Sequence, residues 1–204
     1  DMSDGLASTW IANFYPDPSD LLAAQRAYLD TLFAVPATRA GSSSWGLKGV
    51  RLGGGVACFL QLLYPKARFV FLVRNPYDAY RSYLTKITRG ANYAGWYSRW
   101  PDDRVAGPTH FGEVWRGLAE SMQRHVRRVR AEIVRYEDLG AAGTIERLER
   151  LGLPVGREQL GQRVGSSFVS GDDGRALSVY EEQLLRNATG VLAEDFSYYA
   201  PSER

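Results

Sequence analysis

The chain predicts an α/β layer fold built on a parallel sheet, and three observations lead there. Residues 69–73 form a continuous apolar run rich in aromatic and β-branched side chains, as expected of a parallel strand covered on both faces. Residues 131–136 read as a second strand (Ala-Glu-Ile-Val-Arg-Tyr). Between them lies the clearest helix, residues 110–129, where Phe111, Val114, Trp115, Leu118, Met122, Val126 and Val129 recur at three- and four-residue spacing. Strands that alternate with helices stack as layers around a parallel sheet.

The other elements follow in order. Residues 1–18 carry Trp10, Phe14 and Tyr15 and run into a turn-rich helix entry. Ser19 or Asp20 caps a helix reaching about Phe33, with Leu21, Leu22, Ala24, Tyr28, Leu29 and Leu32 on its apolar side. Residues 36–44 are a small-residue loop, and residues 45–51 a short strand. Past the glycines at 53–55, residues 56–63 read as a helix packed on the sheet. A helix from 76 to about 88 follows the first strand. Residues 89–108 show no period but contain Tyr93, Trp96, Tyr97 and Trp100. A loop of about 20 residues in a compact domain is usually functional. Two further helices fall near 142–151 and 177–191. There is no repeat, no low-complexity run and no internal boundary, so residues 1–204 read as one domain.

Composition sets limits on function. At 204 residues the chain can bury roughly 70% of its unfolded surface. A net charge of +2 argues against wholesale binding of nucleic acid or membrane, while leaving room for a local anion site. The single cysteine, Cys58, excludes an internal disulfide and a cysteine-based zinc cluster, and its apolar neighbours mark it as an inert thiol. No run approaches the ~18 apolar residues of a membrane span, and no basic-then-apolar leader is present. A cytoplasmic protein is expected. Because the chain opens Asp-Met-Ser-Asp, upstream sequence is expected to be missing.

The chemistry concentrates in residues 68–82. The apolar run ends at Arg74, at the carboxyl end of a strand, where open α/β sheets bind ligands. Asn75 is a good N-cap, and Pro76 fits the first helical position, where its missing N–H costs nothing. Asp78 and Ser82 share one helix face. A guanidinium and a hydroxyl beside a helix N-terminus make a phosphate site. The plain alternative is a strand-to-helix turn whose arginine pairs with an acid.

This arrangement resembles the 3′-phosphate-binding motif of sulfotransferases that use 3′-phosphoadenosine-5′-phosphosulfate (PAPS), in the bacterial-type branch of that family. The string from Tyr64-Pro-Lys through Tyr83-Leu carries the likeness, and it extends over roughly residues 45–139. It implies a P-loop-NTPase-like three-layer fold with a central, mostly parallel sheet, and PAPS as donor, with Arg74 and Ser82 on the 3′-phosphate. Trp45-Gly-Leu-Lys-Gly-Val-Arg51 resembles the string that carries a lysine beside the transferring group, which implies Lys48 as a catalytic cation, with Arg51 as a second positive group. Relatives often place an acid after that lysine, where this chain has Gly49. Val134-Arg-Tyr-Glu-Asp-Leu139 resembles the segment after the long helix, which implies that Tyr136 lines the adenine pocket. Glu137 and Asp138 read as structural acids that cap the next helix or hold the sheet edge.

The loop that holds the 5′-phosphosulfate in such enzymes is absent before residue 74, and its segment is expected upstream of Asp1. Tyr64-Pro-Lys-Ala precedes a strand instead of following one, and Thr189-Gly190 fits a helix C-cap. His110, at the start of the long helix, is the better histidine for a general base; His125 reads as part of a solvated face. Trp96, Tyr97 and Trp100 are candidates for holding the acceptor. The function expected is transfer of a sulfuryl group from PAPS to a hydroxyl or amine of a small-molecule or carbohydrate acceptor, with no metal required. The alternative is a nucleotide-binding or scaffold domain of the same fold without turnover. A P-loop-like kinase would need a Gly-Lys-Ser/Thr loop and acids for magnesium, and these are absent.

Overall fold

The computed structural model describes residues 17–49, 52–88, 105–153 and 176–199. These fall into two compact units. One comprises the described residues up to Gly49 together with Phe59–Lys66; the other comprises residues 52–58 and those from Ala67 onward.

The smaller unit begins with helix α1, Pro18–Leu29. Its cap is Asp17, whose Oδ1 accepts from the Ser19 N–H at 2.8 Å and from the Ser19 hydroxyl at 2.6 Å. The cap therefore lies two residues before Ser19, and Pro18 takes the first helical position. The helix does not end near Phe33. A π-turn over Asp30–Ala34 carries it into α2, Val35–Arg39, where the sequence predicted a loop. The Val35 N–H reaches back five residues to the Asp30 carbonyl. This widened turn makes room for Pro36, whose ring would strike a regular α-helical carbonyl and which has no N–H to donate. No residue of α1 is buried, and Leu21, Tyr28 and Leu32 are exposed, so the expected apolar side is not a core face. The packing centre of this unit is Trp45. It stacks on Phe33 at 5.2 Å and meets the Tyr64 ring edge-on at 5.3 Å. The Tyr64 hydroxyl donates to Asp30 Oδ1 at 2.9 Å. Residues 45–49 form no strand: Trp45 is anchored through its ring, and the residues after it are exposed coil.

The larger unit is built on a parallel pair of strands, β1 (Val70–Val73) and β2 (Glu132–Arg135), in the register Val70↔Glu132 to Val73↔Arg135. Helix α3, Gly54–Leu63, precedes β1 and belongs to this unit up to Cys58; α4, Pro76–Thr88, and α5, Pro108–His125, lie between the strands. After β2 come a 3-10 turn over Tyr136–Asp138, α6 (Ala142–Arg150) and α7 (Val179–Asp195). Parallel partners in register share a face, so Phe71 and Val73 lie on one side with Ile133 and Arg135. On that side Val73 packs with Tyr80 and Tyr83 of α4, Phe111, Trp115 and Ala119 of α5, and Leu185 and Leu192 of α7. A second cluster joins Phe71 to Ala57 and Val129, with half-buried Cys58 against it. On the opposite side α6 covers β2, burying Val134, Ile145 and Leu148.

The β1 half of that opposite side is open: Val70 and Leu72 are 36% and 42% exposed. The sequence predicted a strand covered on both faces. An apolar run permits a second covering layer but does not supply one, and α6 packs on β2. The result is an α/β arrangement around a small parallel sheet.

Helix ends and helix crossings explain the small residues. The α6 terminus is a Schellman motif, in which the Gly152 N–H (φ 76°) bonds the Glu149 carbonyl and the Leu153 N–H bonds that of Leu148. Gly53 and Gly54 let α3 approach α5: a Cβ on Gly54 would stand 2.5 Å from the Ser121 carbonyl oxygen. His125 lies half-buried in this contact, with Nδ1 2.7 Å from the Ser121 carbonyl oxygen, rather than on a solvated face. Helix α7 opens with a capping box between Ser178 and Glu181. Gly190, with φ 56° and ψ −151°, breaks its helical path, after which helix resumes to Asp195. The residues Thr189-Gly190 thus mark a helix break inside a longer helix.

The α5–α7 crossing depends on Gly112, where a Cβ would stand 2.6 Å from the Ala188 Cβ. Neither atom can swing away, because each is bonded to its own backbone. Gly112→Ala is expected to destabilise the fold by about 1–3 kcal/mol through overpacking. Urea unfolding checks this; a midpoint equal to wild type would show that the helices separate without cost.

Candidate functional site

The candidate site lies at the carboxyl end of β1, in the larger unit. Strand pairing stops at Val73↔Arg135, so Arg74 and Tyr136 are the first residues past the ladder on each strand. There the two side chains meet, with the Arg74 guanidinium carbon 5.0 Å from the centre of the Tyr136 ring. Among the described residues no carboxylate pairs with Arg74. An arginine that is half-buried, held on an aromatic face and without a counter-ion is suited to take an anionic ligand. Among the described residues, the alternative of an arginine neutralised by a nearby acid finds no acid in place.

The backbone around Arg74 is held by side chains from three other elements. The Val73 carbonyl accepts from the Tyr198 hydroxyl at 3.0 Å. The Arg74 carbonyl accepts from the Trp115 indole N–H at 2.9 Å. The Asn75 N–H donates to Glu137 Oε1 at 2.8 Å. Asn75 caps α4 as predicted, its Oδ1 accepting from the Tyr77 N–H at 2.9 Å.

That cap changes the nature of the site. Pro76 has no N–H, the Tyr77 N–H goes to the Asn75 side chain, and the Ala79 N–H goes to the Asn75 carbonyl. Asp78 adds a carboxylate to the first turn, where it pairs with Arg81. An anion here meets side chains rather than a row of free helix amides. Ser82 lies about 9 Å along the axis from Pro76, on the stripe that carries Asp78. It is half-buried, and its hydroxyl has no hydrogen-bond partner among the described residues.

The remaining predicted residues are distributed as follows. Lys48 is exposed, in the smaller unit, on the coil that follows Trp45. His110 is the third residue of α5, beside Phe111, which packs on Tyr80 and Tyr83. Its Nδ1 accepts from the Ala106 N–H at 3.2 Å, which leaves the proton of the neutral ring on Nε2. In that form the ring keeps one N–H donor while Nδ1 ties the entry to α5. Arg51 and the aromatic residues Trp96, Tyr97 and Trp100 lie outside the described residues.

Of the three supporting residues, Glu137 was expected as a structural acid, whereas Trp115 and Tyr198 gave no sign of this role. Trp115 was visible only as a core position, although a buried indole N–H requires a partner and could have prompted the question. Glu137 neither caps α6, whose N-cap is Ala141, nor faces solvent alone; it turns back to the β1 end. Tyr198 follows the last helix and gave no signal of its target. Asp138 pairs with Arg135 at 3.5 Å, holding the β2 end.

A parallel strand ends in an arginine that lies over an aromatic ring with no carboxylate partner among the described residues, and a capped helix carrying Ser82 follows it. Residues 56–156 match the sequence model of the sulfotransferase family, so this stretch of the chain is a sulfotransferase-family domain, a membership that supports sulfuryl transfer as the reaction class. The match contains Arg74, Ser82, His110 and Tyr136, and Lys48 lies before it. No curated protein matches the chain, and no solved structure does. No helix among the described residues is long and apolar enough to cross a membrane.

Burial, and then the Glu137 carboxylate, push the Tyr198 phenol far above its usual range; burial does the same to Tyr199. A phenol raised in the folded state contributes stability that is fully present below its unfolded pKa of about 10 and is lost as pH rises above it. Alkaline titration of phenolate absorbance should therefore show at least two of the 12 tyrosines ionising only as the fold opens. The denaturation midpoint should fall above pH about 10. Smooth ionisation of all tyrosines in folded protein would contradict this placement.

Proposed function

We propose that the protein is a PAPS-dependent sulfotransferase that moves a sulfuryl group to a hydroxyl or amine of a small-molecule or carbohydrate acceptor. The observation that carries this reading is the Arg74 guanidinium, seated on Tyr136 at the strand end without a carboxylate partner among the described residues, inside the family match. An uncompensated half-buried cation gains from a dianionic 3′-phosphate without first breaking an ion pair. Ser82 would donate to the same phosphate, and Tyr136 would line the adenine side. The donor supplies the activated sulfuryl group; the work of these residues is to fix its register, which contributes orientation more than bond chemistry.

On the likeness of its string, Lys48 is assigned to the charge that develops on the sulfuryl oxygens. His110, with its proton on Nε2, would serve as a hydrogen-bond donor rather than as the proton acceptor. A three-layer sheet larger than the β1–β2 pair belongs to the same proposal. A second reading, nucleotide binding without turnover, is favoured by Gly49, which stands where relatives often carry an acid, and by the position of Lys48 before the matched stretch.

Arg74→Ala is expected to weaken binding of 3′-phosphoadenosine 5′-phosphate (PAP) by about 2 kcal/mol or more, roughly thirtyfold. Arg74→Lys should recover only part of this, because an ammonium keeps the charge but loses the planar stack. Calorimetry showing equal affinity in wild type and Arg74→Ala would refute the assigned role.

A further inference from the structure

We infer that Tyr198 is a positioning residue for the 3′-phosphate site, acting through Glu137; the inference rests on the donor-site reading above. The argument begins where the strand ladder stops. Arg74 and Tyr136 lie one residue beyond the last paired positions, so no ladder hydrogen bond sets their separation. Their contact depends on how two irregular segments, 73–75 and 136–138, are tied to each other. Glu137 makes that tie, with Oε1 on the Asn75 N–H at 2.8 Å and Oε2 receiving the Tyr198 hydroxyl at 3.0 Å. Tyr198 is also 3.0 Å from the Val73 carbonyl oxygen, so one phenol touches the residue before Arg74 and the carboxylate after Tyr136.

The phenol is itself held on several sides. The Arg135 guanidinium lies over its ring at 4.9 Å, and Trp115 meets it edge-on at 6.2 Å. Its approach is set by Ser197, a non-glycine residue at φ 57°, in a Schellman end to α7. There the Ser197 N–H bonds the Glu194 carbonyl, and the Tyr198 N–H bonds that of Ala193. A left-handed residue without glycine's freedom costs energy, and it turns the chain so that Tyr198 points back to the β1 end.

The test uses Tyr198→Phe, which keeps the ring for Arg135 and Trp115 and removes only the hydroxyl. Affinities for PAP and for 5′-AMP, which lacks the 3′-phosphate, are measured by calorimetry. Wild type is expected to prefer PAP, and Tyr198→Phe to lose about tenfold in PAP affinity with 5′-AMP affinity within about twofold of wild type. Glu137→Gln should act in the same direction, and it stands in should the phenylalanine variant fold poorly. A wild-type preference that survives in both site variants overturns the positioning role and leaves the donor-site reading standing. A wild type that does not distinguish the two nucleotides overturns both.

Discussion

The end of β1 depends on three hydrogen bonds that the strand cannot make for itself. Past the last ladder position, the Val73 carbonyl, the Arg74 carbonyl and the Asn75 N–H are satisfied in turn by Tyr198, Trp115 and Glu137. Each donor or acceptor comes from a different part of the chain, and leaving a buried backbone group unmet costs about 1–3 kcal/mol. With the backbone tied down this way, the Arg74 side chain lies over the Tyr136 ring and meets no carboxylate among the described residues.

The rest of the larger unit brings those three side chains to one place. Helix α5 delivers Trp115, and its crossing with α7 is close because Gly112 faces Ala188. Arg130, at φ 51°, turns the chain after α5: its N–H bonds the Arg127 carbonyl and the Ala131 N–H bonds that of Val126, so β2 begins two residues later and ends at the Tyr136–Asp138 turn. Ser197 performs the equivalent turn after α7 and aims Tyr198. Two of these turns use residues other than glycine in the left-handed region, a local cost that the surrounding packing offsets.

The donor-side motif and its surroundings differ in how far they could be read. Asn75, Pro76 and the helix behind them were legible because capping chemistry is local: Asn75 bonds an amide two residues away. The long helix was legible because its apolar period matches the face that packs. The π-turn before Pro36 was not, since proline normally marks a helix start or a break, and only the geometry decides whether a helix widens around it. The coil after Trp45 was read as a strand from its pattern, but the structure holds Trp45 by ring contacts with Phe33 and Tyr64. His125 looked solvated among arginines, yet Gly54 at the start of α3 brings a backbone against it.

By itself the sequence determined the strand-to-helix unit, the parallel arrangement, the cap on α4, and the place of Arg74 at the strand end with Ser82 on the helix behind it. These follow from short-range rules: side-chain period, helix ends, and the residues that can occupy them. Tertiary structure alone decided that Arg74 would rest on Tyr136, with no acid beside it among the described residues. It also decided that Glu137 and Tyr198, 61 positions apart, would close the turn together. The reason is physical. A residue's own neighbours set its conformation, but which groups satisfy a strand's exposed end depends on what the folded chain brings there, and contacts at that range leave no period in the sequence.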